Sequence, residues 1–229
     1  MKFIEMMKAI MDKQLLFRAL LFNSGLMALA FGVVLSINSG LGVSPISSLP
    51  FVVSLVTGIE LGVCIAVILS SFILIQIAML GKEFKCIRLL QIAFSAMFGY
   101  FVAFAGSVLS DFSLPTYAGQ LCVLIMGIIL ISCGLAMSVE AKFVNMPAEE
   151  LVLVTAYKSR TTFHRAKISW DCAVVVLSIT ISLIFLGELQ GVREGTVIAA
   201  LLVGKLMPIM RKIIVPVICA AGFKIVEEN

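Results

Sequence analysis

The chain has few charged residues for its size. Only 13% of its 229 residues are Asp, Glu, Lys or Arg, whereas 61% are hydrophobic. A soluble domain carries roughly 25% charged residues, so this composition excludes an ordinary water-exposed surface. The apolar surface is too large for a soluble core to hide. The sequence therefore predicts a protein whose solvent is the lipid bilayer.

Histidine and clustered cysteine are also scarce. A single histidine, His164, excludes an H-E-x-x-H zinc motif, and the six cysteines include no C-x-x-C pair. The net charge of +4 comes from Lys and Arg placed between apolar runs, which indicates membrane topology and not a nucleic-acid surface. We therefore expect no enzymatic activity, no metal, no cofactor and no nucleic-acid partner. The lipid bilayer is the expected partner.

Six apolar runs are predicted to cross the membrane, which takes about 20 residues in a helix, and the sixth is the shortest. The predicted spans are 19–37, 61–80, 89–109, 119–139, 168–187 and 195–210. Residues 1–18 alternate apolar and charged positions and are predicted to form a cytoplasmic amphipathic segment on the membrane surface. Residues 211–229 are predicted to form a cytoplasmic tail, kinked by Pro216 and not inserted as a further span.

Two further apolar segments are too short to span. They cover residues 44–57 and 147–158, and each has a proline near its start, Pro45 and Pro147. Proline suits the first turn of a helix, where the N–H groups are unpaired anyway. Ser44 is the predicted cap of the first segment. We predict two re-entrant or half-length helices.

Lys and Arg are scarce in every second connection. Residues 38–60 and 110–118 contain none, whereas residues 81–88 and 140–167 contain several. Because basic residues stay on the cytoplasmic side, the alternation predicts a multi-pass protein with both termini in the cytoplasm. If the short segments crossed fully, the connection 38–60 would be split by a crossing and the alternation would degrade.

The second half of the chain repeats the first. Residues 19–109 form repeat one and residues 119–210 repeat two, at a shift of 102 positions that later becomes 105. The matched pairs are Gly25 with Gly127, Gly32 with Gly134, Ser36 with Ser138, Pro45 with Pro147, Ser95 with Ala200 and Gly99 with Gly204. Each repeat has three spans and one short helix, so the two are inverted, as in many secondary transporters. Four crossings per repeat would instead make the repeats parallel.

Two pairs of small residues, Ser95 with Gly99 and Ala200 with Gly204, have the spacing of close helix packing. A homodimer is a second use compatible with these pairs. Gln76 and Gln91 are single polar residues within spans, and we interpret them as interhelical hydrogen-bond partners and not as ligands.

The candidate substrate- or ion-binding residues lie in the two short helices and in the predicted span 168–187. They are Asp171, Glu149, Ser44, Ser47, Pro45, Pro147 and Ser178. A carboxylate in an apolar run is costly unless it is paired, hydrated or protonated, and it is a functional candidate for that reason. Ser178 follows Asp171 by seven positions and shares its helix face.

Each candidate also has a purely structural interpretation. Asp171 would form an ion pair with Lys167 or Arg165, and Glu149 would complement the dipole of its helix. The serines would cap the first short helix. The alternative role for that helix is to hold an anionic or polar group at its free N–H groups.

The motifs resemble those of the YczE/YyaS/YitT-like bacterial inner-membrane proteins. The residues that carry the resemblance are Gly40 to Pro45, Thr57-Gly58 and Gly62 in repeat one, and Pro147, Glu149, Arg165, Lys167 and Asp171 in repeat two. The chain departs from the family pattern at Ser159-Arg160, where a Thr-Gly is expected, and at Ser47, where an acid is common. The resemblance implies an inner-membrane location, in a family whose function is poorly characterised.

The leading functional hypothesis is a small-solute secondary transporter with its site between the two repeats. Asp171 and Glu149 would bind a coupling proton or cation. The alternative is a membrane accessory or sensor protein that transports nothing and uses the basic residues 158–167 to bind a partner.

Overall fold

The structure is a computed structural model that describes residues 2–110, 112–142 and 145–220, with backbone alone for residues 2–13 and 220. Within these ranges the chain forms α-helices, two short 3-10 turns and no strand. The helices are α1 (Lys2–Asn38), α2 (Pro45–Thr57), α3 (Leu61–Leu80), α4 (Leu90–Val108), α5 (Tyr117–Glu140), α6 (Pro147–Lys158), α7 (Phe163–Leu186) and α8 (Glu194–Ala220).

Five stretches are long and apolar enough to cross a membrane. They are Gln14–Asn38, Leu61–Glu83, Cys86–Val108, Tyr117–Glu140 and Phe163–Leu186. These correspond to the first five predicted spans. The sixth predicted span, 195–210, lies inside α8, which is long enough but is not among the five. Lys205, Arg211 and Lys212 lie along α8 and lower its apolar character.

Two helices run further than the sequence predicted. α1 continues without interruption from Lys2 to Asn38, so the amphipathic segment 1–18 and the first span are not separate helices. The first Gly or Pro of the chain is Gly25, so no such residue interrupts the helix before it. α8 extends through Pro208 and Pro216 to Ala220, past the predicted start of the tail at residue 211. Each proline removes one intrahelical hydrogen bond, but neither ends the helix.

The two short helices begin at Pro45 and Pro147, as predicted, and contain 13 and 12 residues. α2 ends at Gly58, whose φ of 70° lies in the left-handed region that glycine tolerates. The predicted cap is wrong in one respect. Ser44 occupies the N-cap position of α2, but its hydroxyl makes no cap hydrogen bond and donates to Ser47 Oγ at 2.9 Å.

The centre of the bundle is the pair α1 and α5. α4 packs against α1, and α8 packs against α5. α2 packs against α7 and α3, and α6 packs against α3 and α7, so each short helix lies between the same two long helices. α3 packs closely along α4, whereas α7 and α8 do not pack along each other, although a short loop joins them.

The connections gather at two opposite ends of the bundle. At one end Asn38 Nδ2 donates to the carbonyl oxygen of Leu109 at 2.7 Å, and the Val43 N–H donates to the carbonyl oxygen of Gly191 at 3.0 Å. At the other end Lys158 Nζ lies 3.0 Å from Glu83 Oε2. The end that holds residues 38–43 and 109 is the one whose loops are poor in Lys and Arg.

Candidate functional site

The first turn of α6 is held by two buried glutamines. Gln76 of α3 donates through Nε2 to the carbonyl oxygen of Pro147 at 3.1 Å and to Gln91 Oε1 of α4 at 3.0 Å. Both glutamines are fully buried. These bonds confirm that Gln76 and Gln91 join helices. They also fix where α6 begins, next to the ends of α3 and α4.

An ion pair anchors the same turn. Arg88 Nη1 lies 2.6 Å from Glu150 Oε1, and the side chain of Glu150 is only 12% exposed. Asn145 Nδ2 donates to the other carboxylate oxygen of Glu150 at 2.7 Å. Both oxygens of Glu150 are therefore occupied by protein groups, which leaves its neighbour Glu149 as the acid of this helix without an ion pair among the described residues.

Glu149, Lys167 and Asp171 form an acidic cluster with one lysine. Lys167 Nζ lies 2.7 Å from Asp171 Oδ1, four residues along α7, and the Asp171 side chain is 17% exposed. Burial raises the pKa of the Glu149 carboxyl, the Lys167 ammonium opposes that effect, and Asp171 adds to it. Lys167 thus pairs directly with Asp171, and no ion pair to Glu149 is present among the described residues.

The first turn of α2 meets the middle of α7. Ser48 Oγ and Ser178 Oγ lie 2.8 Å apart, and both residues are fully buried. Each hydroxyl also donates to a backbone oxygen, Ser48 to Pro45 at 2.6 Å and Ser178 to Val174 at 2.8 Å. Ser178 thus contacts α2 through Ser48, whereas the Ser47 hydroxyl accepts a hydrogen bond from Ser44 Oγ.

The seven predicted residues fall into two groups. Asp171, Glu149 and Pro147 lie around the start of α6, and Ser178 and Pro45 lie around the start of α2. Val174 is buried one turn from each of Asp171 and Ser178, within an apolar cluster that includes residues of both short helices, Leu49 and Ala148. Apolar side chains thus lie between the acidic group and the serine group. Ser44 and Ser47 stay at the partly buried start of α2.

One buried acid was missed by the sequence analysis. The side chain of Glu140, at the end of α5, is 1% exposed and forms an ion pair with Arg211 of α8. An acid at the end of an apolar run was the signal available in the sequence. The pair joins α5 to the part of α8 that was predicted to be a tail. Among the described residues, no group of His, Cys, Asp and Glu could hold a metal ion.

Several apolar helices, two short helices wedged between them and a partly buried acidic cluster define the class: a helical protein of the multi-pass membrane type. The chain belongs to a family of unknown function, DUF6198, whose sequence model matches residues 16–212. It is similar to the uncharacterized protein YyaS of Bacillus subtilis (strain 168), with 27% identity over 193 residues that cover 84% of this chain and 92% of that protein. This match confirms the resemblance to YyaS-like bacterial proteins. No solved structure matches the chain.

Proposed function

We propose that the protein is a non-enzymatic secondary transporter of a small solute, in which two inverted repeats alternate access to a site between α2 and α6. Residues 19–109 and 119–210 are the two repeats. Asp171 and Glu149 bind the coupling proton or cation. The protein lies in the bacterial inner membrane with both termini in the cytoplasm.

The observation that carries this proposal is that helices at matching positions of the two repeats pack against matching partners. α2 packs on α7 of the other repeat, and its counterpart α6 packs on α3 of the other repeat. α4 packs on α1, and its counterpart α8 packs on α5. Two halves related by a twofold axis in the membrane plane would pack in this way.

The glycines that align the repeats support the same relationship. A methyl group added at Gly25 would lie 2.8 Å from the carbonyl oxygen of Gly134, and one added at Gly32 would lie 2.7 Å from that of Gly127. Gly25 matches Gly127 in the repeat, yet it faces Gly134. Crossed pairing of this kind is expected when the twofold axis passes between α1 and α5.

The start of each short helix provides the second line of support. Gln76 and Ser178 are 102 positions apart, the shift of the repeat, and each contacts the first turn of the other repeat's short helix. One half-site is acidic and the other carries only hydroxyls. We propose that the acidic half binds the coupling ion and the serine half binds a polar group of the solute.

Thermal unfolding of purified protein across pH, with and without sodium or potassium, tests the role of Asp171. The variants are Asp171→Asn and Lys167→Met, and the matched controls are Glu83→Gln and Lys158→Met, which alter an exposed ion pair of the same type. We expect Asp171→Asn to lose the stabilisation by the ion, because a bound ligand stabilises the folded state by mass action.

Two outcomes would overturn the proposal. The first is equal destabilisation by Asp171→Asn and Lys167→Met with an unchanged ion and pH response, which would assign the pair to the scaffold. The second is an ion response that the control variants lose as well.

The accessory or sensor role is the second candidate, because Asp171 already has a partner in Lys167 at 2.7 Å. Two basic residues of the predicted docking segment, Arg160 and Arg165, are exposed. Two results together would favour this role. No variant would show an ion response in thermal unfolding, and the double variant Arg160→Gln with Arg165→Gln would lose binding to a protein partner.

A further inference from the structure

One face of α8 is uncovered where its counterpart in repeat one is closed. Gly99 of α4 lies against the backbone of Gly62 of α3, so the two helices touch there. Gly204, which matches Gly99 in the repeat, has no atom within 4 Å of the position where a methyl group would be added. The small-residue pair Ser95 and Gly99 of repeat one therefore packs against another helix of the chain. At the matching pair, Ala200 and Gly204 of repeat two, Gly204 has no such neighbour.

The open face lies beside a gap between α7 and α8. Trp170 of α7 and Val203 of α8 pack against the same apolar cluster, yet the two helices do not pack along each other. Helices joined by a short loop normally close this gap. Leu201 and Ile209 are exposed on α8, and Ile168 is exposed near the start of α7. In a membrane these side chains meet lipid tails.

Two unpaired cations lie on the same face of α8. Lys205 and Lys212 are exposed, and among the described residues neither forms an ion pair. Leu201, Gly204, Lys205, Pro208 and Lys212 follow one another at intervals of one, three or four positions, so they form one stripe. A lysine beside lipid-facing residues extends its ammonium to the headgroup level and needs an anion there.

The end of α8 and the start of α7 lie at the same end of the bundle, because the loop 187–193 joins their other ends. Arg165, in the first turn of α7, is exposed there and adds a third positive charge. Basic pockets between membrane helices on the cytoplasmic side attract anionic headgroups. The stripe therefore places exposed apolar side chains beside exposed cations on one face of α8.

We propose that the α8 stripe binds one anionic phospholipid, with the phosphate at Lys205 and Lys212 and an acyl chain over Gly204. The small glycine leaves room for the chain, and the lysines select the negative headgroup. This site is separate from Glu149 and Asp171 and does not depend on transport.

Native mass spectrometry of protein from vesicles of phosphatidylcholine with phosphatidylglycerol tests the proposal. The test variants are Gly204→Leu, which fills the open space at Gly204, and Lys205→Gln with Lys212→Gln, which removes the cations. The matched controls are Gly106→Leu, another glycine with no atom within 4 Å, and Lys82→Gln with Lys85→Gln, two exposed lysines of the 81–88 connection.

The wild type and both controls should retain one phosphatidylglycerol per chain, and both test variants should retain about tenfold less. Unchanged thermal stability in phosphatidylcholine alone would show that the variants are folded. If the Lys82 and Lys85 control lost phosphatidylglycerol equally, diffuse surface charge would explain the binding and the proposal would be overturned. Equal retention of phosphatidylcholine would overturn it too, as would a wild-type dimer that Gly204→Leu separates.

Discussion

Gly32 of α1 and Gly127 of α5 lie with their backbones in contact. A methyl group added at Gly32 would lie 2.7 Å from the carbonyl oxygen of Gly127, and one added at Gly127 would lie 2.8 Å from the carbonyl oxygen of Gly32. Neither residue can be replaced without moving a helix, because the neighbouring atoms belong to backbone. The central pair of helices therefore depends on glycine.

Gly32→Leu should strongly destabilise the protein, because its side chain has no space between α1 and α5. Overpacking of this kind costs about 1–3 kcal/mol, and contact with backbone places this variant at the upper end or above. Chemical unfolding in mixed micelles measures the effect. Gly106→Leu, at a glycine with open surroundings, should change stability by less than about 0.5 kcal/mol. Similar losses in both variants would contradict the close packing of α1 and α5.

Arg88→Met should cost more stability than Lys158→Met. Arg88 pairs with Glu150, whose side chain is 12% exposed, so the variant leaves a mostly buried carboxylate without its cation. Lys158 pairs with Glu83, which is 55% exposed and stays hydrated when unpaired. We expect a loss of about 2 kcal/mol for the first and at most about 1 kcal/mol for the second. Equal unfolding free energies for the two variants would show that burial of Glu150 does not matter.

The pKa of Glu149 predicts a pH dependence of stability. Burial raises the pKa of this carboxyl in the folded protein above the value of 4.5 for an unperturbed glutamate. The folded state therefore binds the proton more tightly than the unfolded state. The resulting stabilisation is fully present below the unfolded pKa and is lost as the pH rises through the folded pKa.

Glu149→Gln should remove this dependence and give a flatter profile of unfolding midpoint, measured between about pH 4 and pH 8. Glu83→Gln, at an exposed acid, should keep the wild-type profile. A stability difference between the wild type and Glu149→Gln that shifts in favour of the wild type as the pH rises through this window would have the opposite sign and would refute the prediction.

Single cysteines in a cysteine-free background should report the predicted topology. Ser113→Cys and Gln190→Cys should react with an impermeant thiol reagent outside sealed cells, and Lys82→Cys and Arg160→Cys should be protected. Lys82 and Arg160 are exposed in the structure, so burial would not explain their protection. Labelling of both Lys82→Cys and Ser113→Cys from one side would contradict the topology, because α4 lies between them.

The local features of the fold could be predicted from the sequence. The length of an apolar run sets the length of a membrane helix, and proline is tolerated in a first turn, so α2 and α6 were expected near their observed bounds. The pair Lys167 and Asp171 was also accessible, because residues four apart share a helix face. The extent of α1 and α8 could not be predicted, because a proline or a charged stretch weakens a helix without determining where the helix ends.

The contacts of the candidate site required the tertiary structure. Ser48 and Ser178 are separated by 130 positions, and Gln76 and Pro147 by 71. Helix periodicity tells which residues share a face, but it does not tell which helix that face meets. The burial of Glu140 against Arg211 has the same cause. The sequence by itself determined the apolar helices, the two short helices and the matching glycines, because these depend on neighbours along the chain. The packing of helices from distant parts of the chain decided which polar groups are paired and which, such as Glu149, have no ion pair among the described residues.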